Sequence, residues 1–356
     1  MVYIPTIDFR DYDEANETVM SQLAGEVTEA LTTCGFMKIR NLGIAAGHID
    51  RAFECSRWFF SRDSAEKMHS RYTSAAENFG YQGLCVEYLD PSKPADLKET
   101  FTMRDLKRHD PDDPRWPTQT FRDDMTQFYV ACLQGAYRIQ RVFARALALP
   151  SEFFVQYHQG ENVTLRLLYY PSTGVSEIKA GQLGAGVHTD YGMITLLFQR
   201  NIGGLEVADR DGNWHAVEPE NDAIVINTGD LMERWSNGKF RSTPHRVQPK
   251  IGSEDRFSIA MFVDPDTETP VKVLSSCLAE DETPRYPEVT AGNYILQRIE
   301  ASHEAARKVQ PPLSERASPS SYTVAEAETG GNLALPLIQR HKVKLLWITA
   351  EKQGTG

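Results

Sequence analysis

Long apolar runs are missing: no stretch of about 18 apolar residues occurs in the 356-residue sequence, so no segment reads as a transmembrane helix. The opening Met1-Val2-Tyr3-Ile4-Pro5 lacks the basic stretch and apolar core of a secretory signal. These absences lead us to expect a soluble, cytoplasmic protein. Cysteine is sparse. Cys34, Cys55, Cys85, Cys132 and Cys277 are odd in number, scattered and free of Cys-X-X-Cys pairs, so neither a disulfide framework nor a thiolate zinc site is indicated. Positive charge is in the minority, with 38 Lys and Arg against 49 Asp and Glu for a net charge of -11. Nucleic-acid binding draws its affinity from clustered cations, so the balance argues against DNA or RNA and for a small-molecule substrate.

What is present has two textures. Residues Asn16 to Thr32 place Val19, Leu23, Val27 and Leu31 at helical spacing, Ile49 to Phe60 reads as another helix, and Met125 to Leu149 as the longest, ended by Pro150. Tyr3 to Phe9 and Cys34 to Ile39 read as strands. Between Asn78 and Pro117, glycines, prolines and charges read as loops around one ordered piece, Asp96 to Phe101. From Val163 the pattern changes to short strands with turns between them: Val163 to Tyr170, Met193 to Phe198, Leu205 to Ala208, Trp214 to Val217, Ala223 to Asn227, Arg241 to Gln248 and Arg256 to Val263. Asp211-Gly212 reads as a type I′ hairpin turn. A helix over Asn293 to Lys308 stops at Pro311-Pro312. This gives three expected regions: a mostly helical 1–150 packing on the core, a β-rich catalytic core over 151–310, and a linker-like tail over 311–356.

The chemistry concentrates in a few residues. His188 and Asp190 are two apart, so in an extended segment both face the same way. His245 follows after enough chain to run through several strands and return beside them. Two histidines and a carboxylate on one face of an ion leave the opposite face open, the arrangement that non-haem Fe(II) oxygenases use. Taken alone, His245 could equally be a hydrogen-bonded barrel histidine. Arg256 begins the apolar run Arg256-Phe257-Ser258-Ile259-Ala260-Met261-Phe262, where an inward arginine is costly unless paired. A dicarboxylate ligand would supply the partner through two parallel hydrogen bonds, with Ser258 donating a third; an internal salt bridge is the ordinary alternative.

His188-Thr189-Asp190, Ser242-Thr243-Pro244-His245-Arg246-Val247 and Arg256-Phe257-Ser258 resemble the motifs of the isopenicillin N synthase-like 2-oxoglutarate/Fe(II) dioxygenases. The resemblance spans about residues 3 to 308 and includes Ile4-Pro5-Thr6-Ile7-Asp8-Phe9, Cys34-Gly35-Phe36, Asp96 to Phe101, Tyr286-Pro287 and Thr290-Ala291-Gly292. In its core, through Arg166-Leu167-Leu168-Tyr169-Tyr170-Pro171 and Gly229-Asp230-Leu231, it is most similar to thymine 7-hydroxylase-like members. The resemblance implies a mainly β fold with flanking helices: a double-stranded β-helix, or cupin-like jelly roll. It implies Fe(II) held by His188, Asp190 and His245. It further implies 2-oxoglutarate with its C5 carboxylate on Arg256 and Ser258 and Tyr170 assisting, O2 as oxidant and ascorbate as a stimulant. Many plant members carry an asparagine two positions before that tyrosine; Leu168 stands there, so the resemblance does not extend to that contact.

By the same resemblance, Arg166, Tyr191 and Phe262 are substrate contacts, Arg166 toward a carbonyl or carboxylate and the rings toward a flat substrate. Tyr191 and Phe262 would otherwise be ordinary barrel core. Lys98 and Glu99 are further candidates, although charged pairs usually lie on solvated surfaces. The implied activity is oxidation of an unactivated C–H, by hydroxylation, desaturation, cyclisation or demethylation, on a specialised metabolite, amino acid or nucleobase, with release of succinate and CO2. Two rivals stand beside it: a 2-oxoglutarate-independent oxidase of the isopenicillin N synthase type, and a non-catalytic metal- or ligand-binding barrel. The glycines Gly181, Gly184 and Gly186 precede no strand-to-helix unit, so no nucleotide loop is read there.

Overall fold

A computed structural model describes residues 4–174, 177–252 and 254–309. The chain opens with β1 (Thr6–Asp8), α1 (Glu17–Thr33) and β2 (Phe36–Arg40). Asn16 starts α1 by accepting the Thr18 and Val19 backbone N–H groups, each at 3.2 Å, a cap worth about 1 kcal/mol. Gly35, at φ +73°, makes the sharp turn into β2, and a Cβ there would lie 2.5 Å from the Arg241 carbonyl oxygen.

The next elements are α2 (Ala46–Phe60), α3 (Ser64–Lys67), β3 (Gly80–Gln82), β4 (Glu99–Arg104) and α4 (Gln119–Ala146). The ordered piece expected at Asp96 to Phe101 is therefore a strand that begins at Glu99 and runs on to Arg104. β3, absent from the sequence reading, pairs with it through Gly80↔Thr102. The strand signal was hidden because both partners of β4 come from elsewhere in the chain. Helix α4 begins at Gln119 rather than Met125, because Thr118 Oγ1 accepts the Phe121 N–H at 3.1 Å and caps it there.

Then follow β5 (Val163–Tyr170), β6 (Ala185–His188), β7 (Ile194–Gln199), β8 (Leu205–Ala208), β9 (Trp214–Ala216), β10 (Ala223–Thr228), α5 (Asp230–Trp235), β11 (His245–Val247), β12 (Arg256–Val263), β13 (Pro270–Val271), β14 (Val289–Thr290) and α6 (Ala291–Val309). β5, β8 and β12 have the expected bounds. β11 is shorter than the expected Arg241 to Gln248, since Pro244 has no N–H to give a ladder. β6 escaped the sequence reading among its glycines. Of Asp211 and Gly212 only Gly212 has positive φ, at +83°, and its N–H bonds the Asp209 carbonyl. The hairpin is thus a type I turn closed by glycine, not type I′.

One sheet has the order β1-β2-β10-β7-β12-β5-β4-β3, the other β6-β11-β8-β9. Pairing is antiparallel except between β1 and β2. The two sheets with helices outside form the double-stranded β-helix expected from the motifs, and four strands of the larger sheet come from the first 104 residues. Strand alternation sorts the side chains. Ile259, Met261 and Val263 of β12, with Leu165 and Leu167 of β5, join the core against the helices. Arg256, Ser258, Ala260 and Phe262, with Thr164, Arg166, Leu168 and Tyr170, face a cavity between the sheets. The tail over 311–356 lies outside the described residues.

His158 supplies a pH test of this core. It is fully buried, with Nδ1 2.7 Å from the Phe154 carbonyl oxygen and Nε2 unpartnered, and burial pushes its pKa down to about 4. The unfolded chain protonates this ring near pH 6.5, the fold only near 4, so stability is undiminished above 6.5 and falls as pH drops between those values. Urea unfolding should show the wild type losing about 2 kcal/mol more than His158→Met between pH 7 and pH 5. Equal losses in the two proteins would remove His158 as the cause.

Candidate active site

β6 and β11 lie side by side in the smaller sheet, and their register sets His188 directly opposite His245. Their rings are 4.2 Å apart between centroids. Asp190 follows β6 in a loop docked on the start of α5: Asp230 N–H donates to the Asp190 carbonyl at 2.8 Å and Leu231 N–H to that of Gly192 at 3.0 Å. Gly229 permits this docking, since a Cβ there would stand 2.5 Å from the Gly192 carbonyl oxygen. The result is a cluster in which one ligand atom from each of His188, Asp190 and His245 lies within 4.8 Å of the others.

Each of the three is oriented by a second contact. His188 Nδ1 donates to the Gly186 carbonyl at 2.7 Å and His245 Nδ1 to that of Thr243 at 3.1 Å, so both Nε2 lone pairs are left free. Those Nε2 atoms stand 3.9 and 3.7 Å from Asp190 Oδ1. Asp190 Oδ2 accepts from Thr195 Oγ1 at 2.5 Å and Asn227 Nδ2 at 2.6 Å, leaving Oδ1 for the centre. Burial and the neighbouring His245 push the His188 pKa down to about 3, so the ring is neutral and available as a donor. Burial opposes ionisation of Asp190, but the two histidines and the hydrogen bonds from Asn227 and Thr195 outweigh it and hold the carboxyl below its ordinary range. Two imidazoles and a carboxylate, convergent and pre-oriented, suit a divalent cation.

Thr195 and Asn227 were not found from sequence. They are cross-strand neighbours on β7 and β10, and their signal was a polar side chain inside an otherwise apolar strand.

Deeper between the sheets, Arg256 is 2% exposed. Its Nη2 donates to Gln199 Oε1 at 2.9 Å, its Nη1 meets Ser258 Oγ at 3.3 Å, and its guanidinium lies 4.7 Å from the Tyr170 ring centroid. Among the described residues no carboxylate reaches it, and burial pulls its pKa down. Its Nε and the Gln199 Nε2 are buried without partners. An unneutralised guanidinium beside orphaned donors fits an anionic ligand, and Gln199 is the polar neighbour that the sequence reading did not name.

Arg166, on the strand paired with β12, is half-buried and already paired with a carboxylate: Nη2 lies 3.0 Å from both Glu87 oxygens and 3.2 Å from Thr100 Oγ1. Tyr191 and Phe262 line the same cavity, with the Arg298 guanidinium 4.7 Å from the Tyr191 ring centroid on its outer side. Lys98 lines the cavity too, held between Asp96 at 2.6 Å and Glu87 at 2.9 Å. Glu99 does not join them. One position along β4 it faces the other way, where Lys67 and Tyr81 both donate to it at 2.7 Å.

A profile of the 2OG-Fe(II) oxygenase superfamily matches residues 161–265, and one described as non-haem dioxygenase in morphine synthesis N-terminal matches residues 4–123. The UPF0676 protein C1494.01 of Schizosaccharomyces pombe is 34% identical over 308 residues, covering 83% of this chain and 91% of that protein. The chain belongs to the 2OG-Fe(II) oxygenase superfamily. A second relative, the 2-oxoglutarate-Fe(II) type oxidoreductase hxnY of Emericella nidulans, is 30% identical over 339 residues, 91% of this chain and 97% of that one. Among solved structures, a full-length Neurospora crassa protein in complex with alpha-KG and thymine superposes with a TM-score of 0.76 at 30% identity, covering 84% of this chain and 96% of that one. This oxygenase is accordingly a 2-oxoglutarate-Fe(II) type oxidoreductase with Fe(II) and 2-oxoglutarate as its cofactors. Among its described residues no helix is long and apolar enough to cross a membrane.

Proposed function

We propose that this oxygenase hydroxylates, or otherwise oxidises at an unactivated C–H, a small molecule that presents an uncharged carbonyl to Arg166. His188, Asp190 and His245 would hold Fe(II), and Arg256, Ser258 and Tyr170 the C5 carboxylate of 2-oxoglutarate. One observation carries the reading: two arginines on adjacent strands, Arg256 buried and Arg166 half-buried, face one cavity, and among the described residues only Arg166 has a carboxylate partner. Arg256, unneutralised, suits the dicarboxylate cosubstrate. Arg166, neutralised by Glu87, offers hydrogen-bond donors without net charge, which favours a neutral acceptor over a carboxylate.

Bound Fe(II) and 2-oxoglutarate supply the oxidation of the C–H with release of succinate and CO2. The chain's own residues do the rest. The Nδ1 bonds of His188 and His245 fix the donor tautomers, Thr195 and Asn227 fix the Asp190 carboxylate, and Tyr191 and Phe262 offer aromatic faces to a flat substrate. The rings also exclude water from the position that the substrate carbon must occupy.

The test is 2-oxoglutarate turnover, measured as succinate formed, over a panel of nucleobases, amino acids and polycyclic metabolites. Neutral carbonyl compounds should stimulate turnover and their carboxylated analogues should not; stimulation by the acids alone would overturn the assignment of Arg166. Silence with thymine and uracil derivatives would remove a pyrimidine substrate. With any stimulating substrate, Arg166→Met should raise KM roughly 10- to 100-fold, as expected for losing a hydrogen bond from a charged group of about 1.5–3 kcal/mol, while the KM for 2-oxoglutarate changes little.

A further inference from the structure

Four charged side chains between the substrate end of the cavity and the strand carrying His188 make one continuous buried chain. From Arg166 it runs to Glu87 at 3.0 Å, to Lys98 Nζ at 2.9 Å and to Asp96 Oδ2 at 2.6 Å. Asp96 Oδ1 then accepts the Gly186 N–H at 2.9 Å, and the Gly186 carbonyl receives the His188 Nδ1 proton at 2.7 Å. Asp96 and Lys98 are 2% and 3% exposed, and Glu87 is 8% exposed. Burial works against ionisation of Glu87, yet Arg166 and Lys98 hold its carboxyl well below the usual range, so it is an anion between two cations; at Asp96 burial outweighs Lys98 and raises the pKa.

Such a cluster costs desolvation that a hydrophobic replacement would avoid, so stability alone gives no reason for it. Geometry gives one. β6 is a four-residue edge strand of the smaller sheet, paired on one side only, and its register with β11 shifts between His245 and Val247. Its other side is held by Asp96, which takes the Gly186 N–H, and Gly186 has to be glycine because a Cβ there would lie 2.7 Å from the Asp90 nitrogen. Lys98 fixes Asp96 in turn.

We propose that Asp96 is a positioning residue for His188: it clamps the free edge of β6, and Lys98 and Glu87 link it to the substrate-facing Arg166. This rests on His188 being a metal ligand. The metal affinity of the triad then depends on a side chain that never touches the metal.

Anaerobic calorimetric titration with Fe(II), and with Mn(II) as a redox-inert probe, tests it. In Asp96→Ala the affinity should fall about 10- to 100-fold, the range for removing an outer-shell partner of a metal ligand. The double variant Asp96→Asn/Lys98→Met removes both charges but keeps an amide oxygen for the Gly186 N–H, and its affinity should stay within about threefold of wild type. The 2-oxoglutarate KM should not follow the metal affinity, because Arg256 lies elsewhere. A folded Asp96→Ala protein with wild-type affinity overturns the proposal, as does a double variant that loses as much as Asp96→Ala. Should Asp96→Ala not fold, amide exchange at Gly186 in the double variant decides: retained protection supports the clamp, and exchange as fast as in surrounding loops overturns it. If wild type and His188→Ala bind metal equally, the ligand assignment fails instead, so the two failures are separable.

Discussion

His188→Ala should abolish Fe(II) binding and reduce 2-oxoglutarate turnover to background while leaving the fold intact. Its ring is a half-buried neutral imidazole whose Nε2 has no hydrogen-bond partner among the described residues, so deleting it removes a metal donor at little structural cost. Wild-type protein should gain stability as Mn(II) or Fe(II) is added, by about 2.7 kcal/mol at a hundred times the dissociation constant, and the variant should gain none. Thermal melting with and without metal reads this directly. Asp190→Ala should also lose the metal but melt lower even without it, because Thr195 and Asn227 would keep buried donors aimed at an empty place. A His188→Ala protein that still melts higher with metal would end the assignment of this residue.

Arg256→Met separates function from stability. The loss of a buried guanidinium that pairs with a ligand carboxylate costs roughly 2–5 kcal/mol, so the 2-oxoglutarate KM should rise by about 30-fold or more with metal affinity nearly unchanged. Without 2-oxoglutarate the same substitution should leave Tm equal to or above that of wild type. Arg256 is held there with burial pulling its pKa down and no carboxylate in reach, a cost that an apolar side chain of similar length does not incur. Glu87→Gln is the opposite case: it takes the carboxylate partner from the half-buried Arg166 and one of two from the buried Lys98, and should lower Tm clearly. If Arg256→Met lowered Tm as much as Glu87→Gln does, Arg256 would be a structural residue and not a ligand site.

The helices and most strands of the β-rich half were legible because each rests on a local period. Where the reading missed, the determinant was a distant partner. β3 and β6 are short strands that exist through pairing with β4 and β11, and β6 carries a glycine, Gly186, where a strand pattern would need a side chain. The start of α4 moved to a capping threonine upstream of the apolar stripe.

The sequence by itself determined the candidate side chains: two histidines and a carboxylate, and an arginine and serine two apart on one strand, which alternation turns to the same inner face. These follow from residue chemistry and a period of two, which no folding detail alters. Tertiary structure alone decided the rest. Arg166 and Arg256 look alike in sequence, and only the arrival of Glu87 from a loop gives one a carboxylate partner while the other has none among the described residues. Lys98 and Glu99 are neighbours, yet the pleat sends one into the cavity and the other to the helical face. Thr195, Asn227, Gln199 and Asp96 gain their roles from groups brought beside them by strand pairing and loop docking. Whether a buried charge is matched depends on spatial neighbours, and spacing along the chain does not encode those.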